Sequence, residues 1–168
     1  MQLRLEPRSL THPDAEKLIS EIQQEYLVRY GQPDHTPVRA EQFSPPHGRF
    51  LVGYLGDEPV ACGGWRSGGE LAGELRDTDA EMKRLYVATG ARGRGFARTI
   101  VRVLERTARE AGKRRMVLET GTEQPEAVEL YTSVGYAGIP TYGLHKWDPA
   151  SVCLAKPLLD TARDPDTR

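Results

Sequence analysis

Between residues 82 and 120 the chain reads strand, glycine-rich turn, helix, strand, and this order constrains the fold more than any other feature. Met82 to Val87 is a strand-like run, and Met116 to Thr120 is another. Between them Phe96, Ile100, Val103, Leu104, Thr107 and Ala111 recur at helical spacing, with Gly112 as a natural stop. Two strands joined through a helix pair in parallel, so the second half points to a sheet built around those two strands.

The turn itself, Arg92-Gly93-Arg94-Gly95-Phe96-Ala97, carries chemistry. A glycine-studded turn that opens a helix leaves backbone N–H groups without internal partners, and the helix dipole adds positive potential there. Glycine lets the chain approach a ligand closely at φ values that a side chain resists. Arg92, Arg94 and Arg98 add full positive charges. The expected ligand is a phosphate or pyrophosphate. The spacing does not fit Gly-x-x-x-x-Gly-Lys-Ser/Thr, and it does not fit Gly-x-Gly-x-x-Gly, so nucleoside-triphosphate and dinucleotide loops are disfavoured.

Read as Arg-x-x-Gly-x-Ala, the turn resembles the acyl-CoA pyrophosphate motif of the GNAT superfamily. Glu81 to Val87 resembles that family's fourth strand, Met116 to Thr120 its fifth, and Gln124 to Tyr131 with Gly135-Tyr136 its late helix. The resemblance implies an α/β (α+β) fold: a mixed central sheet of about six to seven strands flanked by helices, splayed in a V between strands four and five. It implies one domain over residues 1–159, with 160–168 expected to be a disordered tail. It also implies an enzyme, an N-acetyltransferase with acetyl-CoA as cosubstrate, and it allows a homodimer.

Ahead of this region Leu3 and Leu5 suggest a first strand, and Thr11-His12-Pro13-Asp14 reads as a helix N-cap. Ala15, Leu18, Ile19, Ile22 and Tyr26 then place one apolar stripe on the core. Residues 31–47 are rich in Pro, polar and charged groups and are expected to form a loop with at most a short helix. Phe50 to Leu55 and Val60 to Trp65, joined at Gly56-Asp57-Glu58-Pro59, read as an antiparallel hairpin. Residues 67–77 are expected to be a mobile connection.

Composition excludes several classes. The 168 residues carry 24 acidic and 23 basic groups, so bulk charge advertises no nucleic-acid partner. No stretch of about 18 apolar residues is present, and the N-terminus has no apolar leader, so a cytoplasmic chain without a membrane partner is expected. Cys62 and Cys153 sit in apolar runs without ligand spacing and read as buried reduced thiols; no metal site is expected.

Acyl transfer from a thioester to an amine requires a neutral amine, a placed carbonyl, a stabilised oxyanion and a leaving thiolate. Glu81 is the first candidate for general base, with Glu119 on the neighbouring strand as the alternative; a salt-bridged edge residue is the other reading of Glu81. Regular alternation would put Glu81, Leu85 and Val87 on one face. Tyr131 matches the tyrosine whose hydroxyl approaches the CoA sulfur in this family, and it would act as general acid. The resemblance implies a bulge near this point of strand four that frees main-chain groups, and it gives the Leu85 backbone N–H to the thioester oxygen. It gives Leu85, Tyr86 and Val87 to the pantetheine arm, and Arg92, Gly93, Arg94, Gly95, Phe96, Ala97, Arg98 and Gln124 to the rest of the cofactor. Tyr26, Tyr30, Trp65, Tyr142, His145 and Trp147 are candidates for an aromatic acceptor pocket, walled by residues 138–143. The expected acceptor is a small-molecule primary amine. Acetylation of a protein lysine or N-terminus, a non-catalytic CoA-binding role, and a nucleic-acid face along residues 92–115 are the competing readings.

Overall fold

The computed structural model describes residues 2–70 and 74–158. The described strands are β1 (Arg4–Pro7), β2 (Gly48–Leu55), β3 (Glu58–Ser67), β4 (Asp79–Val87), β5 (Arg115–Gly121), β6 (Ala137–Ile139) and β7 (Ser151–Pro157). The described helices are α1 (Pro13–Tyr30), α2 (Phe96–Glu110) and α3 (Pro125–Ser133), with 3-10 turns at Ala40–Phe43, Gly68–Glu70 and Thr89–Ala91. The strands form one seven-stranded mixed sheet in the order β1-β2-β3-β4-β5-β7-β6. Parallel neighbours need a crossover connection, usually a helix, and α2 lies in the one between β4 and β5. The parallel register runs over three pairs, from Asp79↔Arg115 to Glu81↔Val117.

The chain forms two compact units, Met1–Arg66 with Met82–Leu104, and Ser67–Glu81 with Glu105–Arg168. In the first, the hairpin β2–β3 is antiparallel, and the core gathers Leu18 and Ile22 of α1 with Phe43, Phe50, Val52 and Tyr86. The Phe43 and Phe50 rings meet edge-on at 6.2 Å. Burying each such side chain contributes roughly 1.5–3 kcal/mol. At Gly63 of β3 an added Cβ would lie 3.1 Å from Ile100, 3.2 Å from Leu85 and 3.4 Å from Leu104. That close approach seats α2 on the strand and puts the Leu85 side chain in the core beside it.

In the second unit β5 pairs with β7, and β7 with β6, both antiparallel. One sheet face carries Val117, Cys153 and Ala155, with Ile139 of β6 beside Cys153, and it packs against Leu75 and Tyr142.

Three local expectations change. The N-cap of α1 is His12, not Thr11: Pro13 at the first helical position forces the residue before it into extended backbone, and His12 Nδ1 then accepts the Asp14 N–H at 3.1 Å. The buried stripe of α2 is Ile100, Val101, Leu104, Glu105 and Ala108, whereas Ala111 lies beyond the helix end and is exposed. The third change concerns β4, where Arg84 has φ +61°. A left-handed residue breaks the two-residue alternation, so the shared face expected for Glu81, Leu85 and Val87 does not follow. The expected tail at 160–168 lies outside the described residues, as does part of the expected mobile connection.

Candidate active site

The turn after β4 has the conformation its glycines imply. Gly93 and Gly95 sit at φ +81° and +79°, and a Cβ built on either meets nothing within 4 Å. The backbone here therefore borders open space, directly before the first turn of α2. That first turn holds no acidic residue, so no side chain within it offsets the positive helix end. Arg94 is exposed beside it, as are Arg92 and Arg98, while Phe96 and Ala97 are half-buried. The donor set and the open backbone fit a pyrophosphate.

Arg92 is engaged within the protein. Its Nε donates to the Val87 carbonyl at 2.8 Å, its Nη2 pairs with Glu25 of α1, and its guanidinium lies 5.7 Å from the Tyr86 ring centre. Tyr86 in turn donates to Glu21 at 3.1 Å. Burial, and then the Glu21 carboxylate, pushes the phenol up to about 12. Arg92 thus braces the turn against α1.

The strained position on β4 is held from both sides. The Cys62 thiol donates to the Arg84 carbonyl at 3.2 Å, and Arg84 Nη1 meets Asp34 Oδ2 at 2.6 Å. Asp34 also accepts from the Thr36 N–H and hydroxyl. Burial would raise the Asp34 carboxyl, but Lys83, Arg84 and the Thr36 hydrogen bonds outweigh it and hold it well below the usual range. A left-handed non-glycine residue costs roughly 1–3 kcal/mol, which these contacts offset.

In the other unit, Glu81 is almost fully buried at 2% exposure. Its register opposite Val117 sets it on the face that Tyr142 covers, and Glu119, opposite Cys153, shares that face. Glu81 pairs with Val117 on a strand inside the sheet order, so it is not an edge residue. Gln124 is the residue at the start of α3, and Pro125 occupies its first position. Tyr131 is buried at 7% exposure, with its ring edge-on to Tyr136 at 5.6 Å. Tyr136 is fixed by a charged network: its hydroxyl donates to Glu105 Oε2 and Lys156 Nζ donates to Glu105 Oε1, both at 2.9 Å. Burial and Glu105 push the Tyr136 phenol far above its ordinary value.

Among the aromatic candidates Trp65 is core at 2% exposure, whereas Trp147 is 87% exposed with Lys146 over its ring. Sequence reasoning missed Asp34, Arg84, Glu105 and Lys156. For Glu105 a signal was present, an acid on the apolar stripe of a helix; the Asp34–Arg84 pair, 50 residues apart, left none.

Residues 15–136 match the model of the acetyltransferase (GNAT) family. The chain belongs to that family. The GNAT chain is 32% identical over 118 residues to the IAA acetyltransferase of Azospirillum brasilense, covering 70% of this chain and 73% of that protein. A Klebsiella pneumoniae chain assigned to the acyl-CoA N-acyltransferases superposes with a TM-score of 0.74 at 26% identity, over 94% of this chain and 99% of the other. The PaiA N-acetyltransferase of Thermoplasma acidophilum, solved with coenzyme A, shares the fold at a TM-score of 0.68 and 14% identity, covering 94% and 99% of the two chains. This GNAT chain is therefore an acyltransferase enzyme, and its family uses acetyl-CoA. Among the described residues no helix is long and apolar enough to cross a membrane.

Proposed function

We propose that this GNAT enzyme transfers the acetyl group of acetyl-CoA to the primary amine of a small molecule, by direct attack in a ternary complex. The observation that carries the reading is the turn at Gly93 and Gly95, left-handed, open and set against a helix start without acids. Bound acetyl-CoA supplies an activated acyl group as a thioester. The Gly93, Arg94, Gly95, Phe96 and Ala97 backbone, with Arg94 and Arg98, would hold its pyrophosphate, and Arg92 would keep the turn in place. Gln124 would contribute a further contact to the cofactor.

Along β4, Leu85, Tyr86 and Val87 would offer main-chain groups to the pantetheine arm. The Val87 carbonyl already accepts from Arg92, which leaves its N–H as the better donor. A left-handed residue in a strand turns the N–H that follows it out of the ladder. The Arg84 conformation thereby suits the Leu85 N–H to the thioester oxygen, where one donor is worth roughly 3–4 kcal/mol in the transition state. Glu81 would accept the amine proton, a contribution of about 10²–10⁴-fold. Tyr131 would give its hydroxyl proton to the departing sulfur, its ring held by Tyr136. A small-molecule acceptor is favoured by the relative named for IAA.

The test is calorimetric titration of acetyl-CoA with ATP as control, followed by an amine screen for CoA release with lysine peptides alongside. Saturable acetyl-CoA binding with turnover on small amines is the expected result. Absence of binding refutes the reading, and transfer confined to peptides reassigns the acceptor.

A further inference from the structure

The first unit holds a chain of contacts that begins on α1 and ends at the proposed oxyanion donor. Gln23 of α1 grips the backbone of Asp34 at both groups. Its Nε2 donates to the Asp34 carbonyl at 3.2 Å, and its Oε1 accepts the Asp34 N–H at 2.8 Å. The Thr36 N–H and hydroxyl donate to Asp34 Oδ1 at 2.9 and 2.7 Å. The other oxygen, Oδ2, accepts from Arg84 Nη1 at 2.6 Å. The carboxylate is thus oriented by partners other than the arginine it meets.

Arg84 is anchored in return. Its side chain is 4% exposed, and its Nε has no hydrogen-bond partner among the described residues. A buried guanidinium with a donor unspent depends the more on the carboxylate that it does meet. Arg84 is also, among the described residues, the one non-glycine residue with positive φ, at +61°. An arginine in a strand prefers extended backbone. The charge-assisted bond to a fixed carboxylate is the strong contact that holds it off that state. The Cys62 thiol, which donates to the Arg84 carbonyl at 3.2 Å, is a weak donor by comparison.

We propose that Asp34 is a positioning residue for acyl transfer: by holding Arg84 left-handed, it keeps the Leu85 N–H aimed at the thioester oxygen. Without that hold residue 84 falls back to extended backbone, regular alternation returns, and the Leu85 N–H rejoins the ladder. In this role Asp34 contacts neither cofactor nor amine and acts through the backbone of residues 84 and 85. The donor matters when negative charge grows on the oxygen. Losing it therefore lowers turnover and leaves the binding of acetyl-CoA nearly unchanged. Gln23, Asp34, Arg84, Leu85 and the glycine turn all belong to the first unit.

This inference rests on the proposed acetyl transfer and on Leu85 as donor, and the experiment separates them. Wild type is compared with Asp34→Asn, with the pair Asp34→Leu and Arg84→Met, and with the pair Asp34→Asn and Arg84→Gly, each well below its Tm. For each, acetyl-CoA affinity, Tm and single-turnover transfer to the best amine of the CoA-release screen are measured. The α-carbon chemical shift of residue 84 in the ligand-free protein distinguishes left-handed from extended backbone. The infrared carbonyl band of isotope-labelled acetyl-CoA, once bound, reports the hydrogen bond to the thioester oxygen.

Asparagine turns an NH₂ toward Arg84 where the carboxylate presented an oxygen. Asp34→Asn is expected to slow transfer by about 10²-fold, with acetyl-CoA affinity within about two-fold of wild type. Its residue 84 should take the extended shift, and the carbonyl band should return toward that of free acetyl-CoA. The Leu and Met pair should regain stability but not rate, because nothing holds methionine left-handed. Glycine adopts that backbone unaided, so Arg84→Gly should restore rate and band to the Asp34→Asn protein. A merely structural ion pair requires rate to follow Tm across the variants, and that pattern overturns the proposal. So does a wild-type rate in Asp34→Asn, an unmoved shift at residue 84, or no recovery with glycine. A wild-type carbonyl band equal to that of free acetyl-CoA overturns the Leu85 donor and the proposal with it. A wild type that neither binds acetyl-CoA nor turns over refutes the acetyl-transfer reading instead.

Discussion

Replacing Asp34 with asparagine removes the carboxylate facing a guanidinium of which only 4% of the side-chain surface is exposed. Breaking a buried pair by deleting one partner costs about 3–5 kcal/mol, because the remaining charge is uncompensated. Asparagine can still accept from the Thr36 N–H and hydroxyl, now at 2.9 and 2.7 Å, and Asp34 keeps 15% of its side-chain surface in solvent. Both facts favour the lower end, about 3 kcal/mol. At ~2–4 °C per kcal/mol for a chain of this size, Tm should fall by roughly 6–12 °C at pH 7. The sign with pH follows from the depressed Asp34 carboxyl: the unfolded chain binds the proton more readily. The wild-type advantage is therefore complete above the ordinary Asp value of 3.8 and is lost as pH falls below it. Calorimetric scans of both proteins from pH 7 downward should show their Tm values converging in acid. A pair replacement, Asp34→Leu with Arg84→Met, should recover most of the lost stability, since an apolar pair avoids desolvating two charges. A fall of less than about 2 °C at pH 7, or a gap that does not narrow in acid, would refute the account of the pair.

Gly95→Asp should weaken acetyl-CoA binding by calorimetry, because a side chain at φ +79° is strained and adds negative charge where the backbone borders open space; unchanged affinity would remove the turn from the cofactor site. Tyr131→Phe should lower turnover with little change in acetyl-CoA affinity, and equal turnover would end its role as acid. Lys156→Met should destabilise by about 2–3 kcal/mol in chemical denaturation, as Glu105 is 6% exposed in its side chain and loses its cation, whereas a neutral outcome would show that Glu105 is solvated.

Local signals made the second half of the fold legible. The glycine turn, the flanking strand-like runs and the proline at the start of α3 each act within a few residues, so their spacing survives in the sequence. His12 was also legible in principle, because a proline constrains its predecessor, but Thr11 is the stronger capping residue by propensity and drew the assignment. The resemblance implied a bulge near this point of β4, but not which residue would carry it. Nothing in Glu81 to Val87 signals a left-handed arginine; it is sustained by Cys62 and Asp34, which reach it from 22 and 50 residues away. Tyr142 shows the same limit: the sequence supplies an aromatic residue, and only the strand register brings Glu81 and Glu119 onto its face.

The two cysteines have a practical consequence. Each unit holds one, Cys62 in the first and Cys153 in the second, and both are buried, with burial pushing the thiol upward. Thiolates are the reactive species, so the native protein should be silent to colorimetric thiol reagents while liberated CoA responds at once. Once denaturant or heat opens the chain, each sulfur becomes a natural clock for its own half of the molecule. Equal labelling rates at the two positions would mean that both halves lose their cores in a single event, and unequal rates would time them separately.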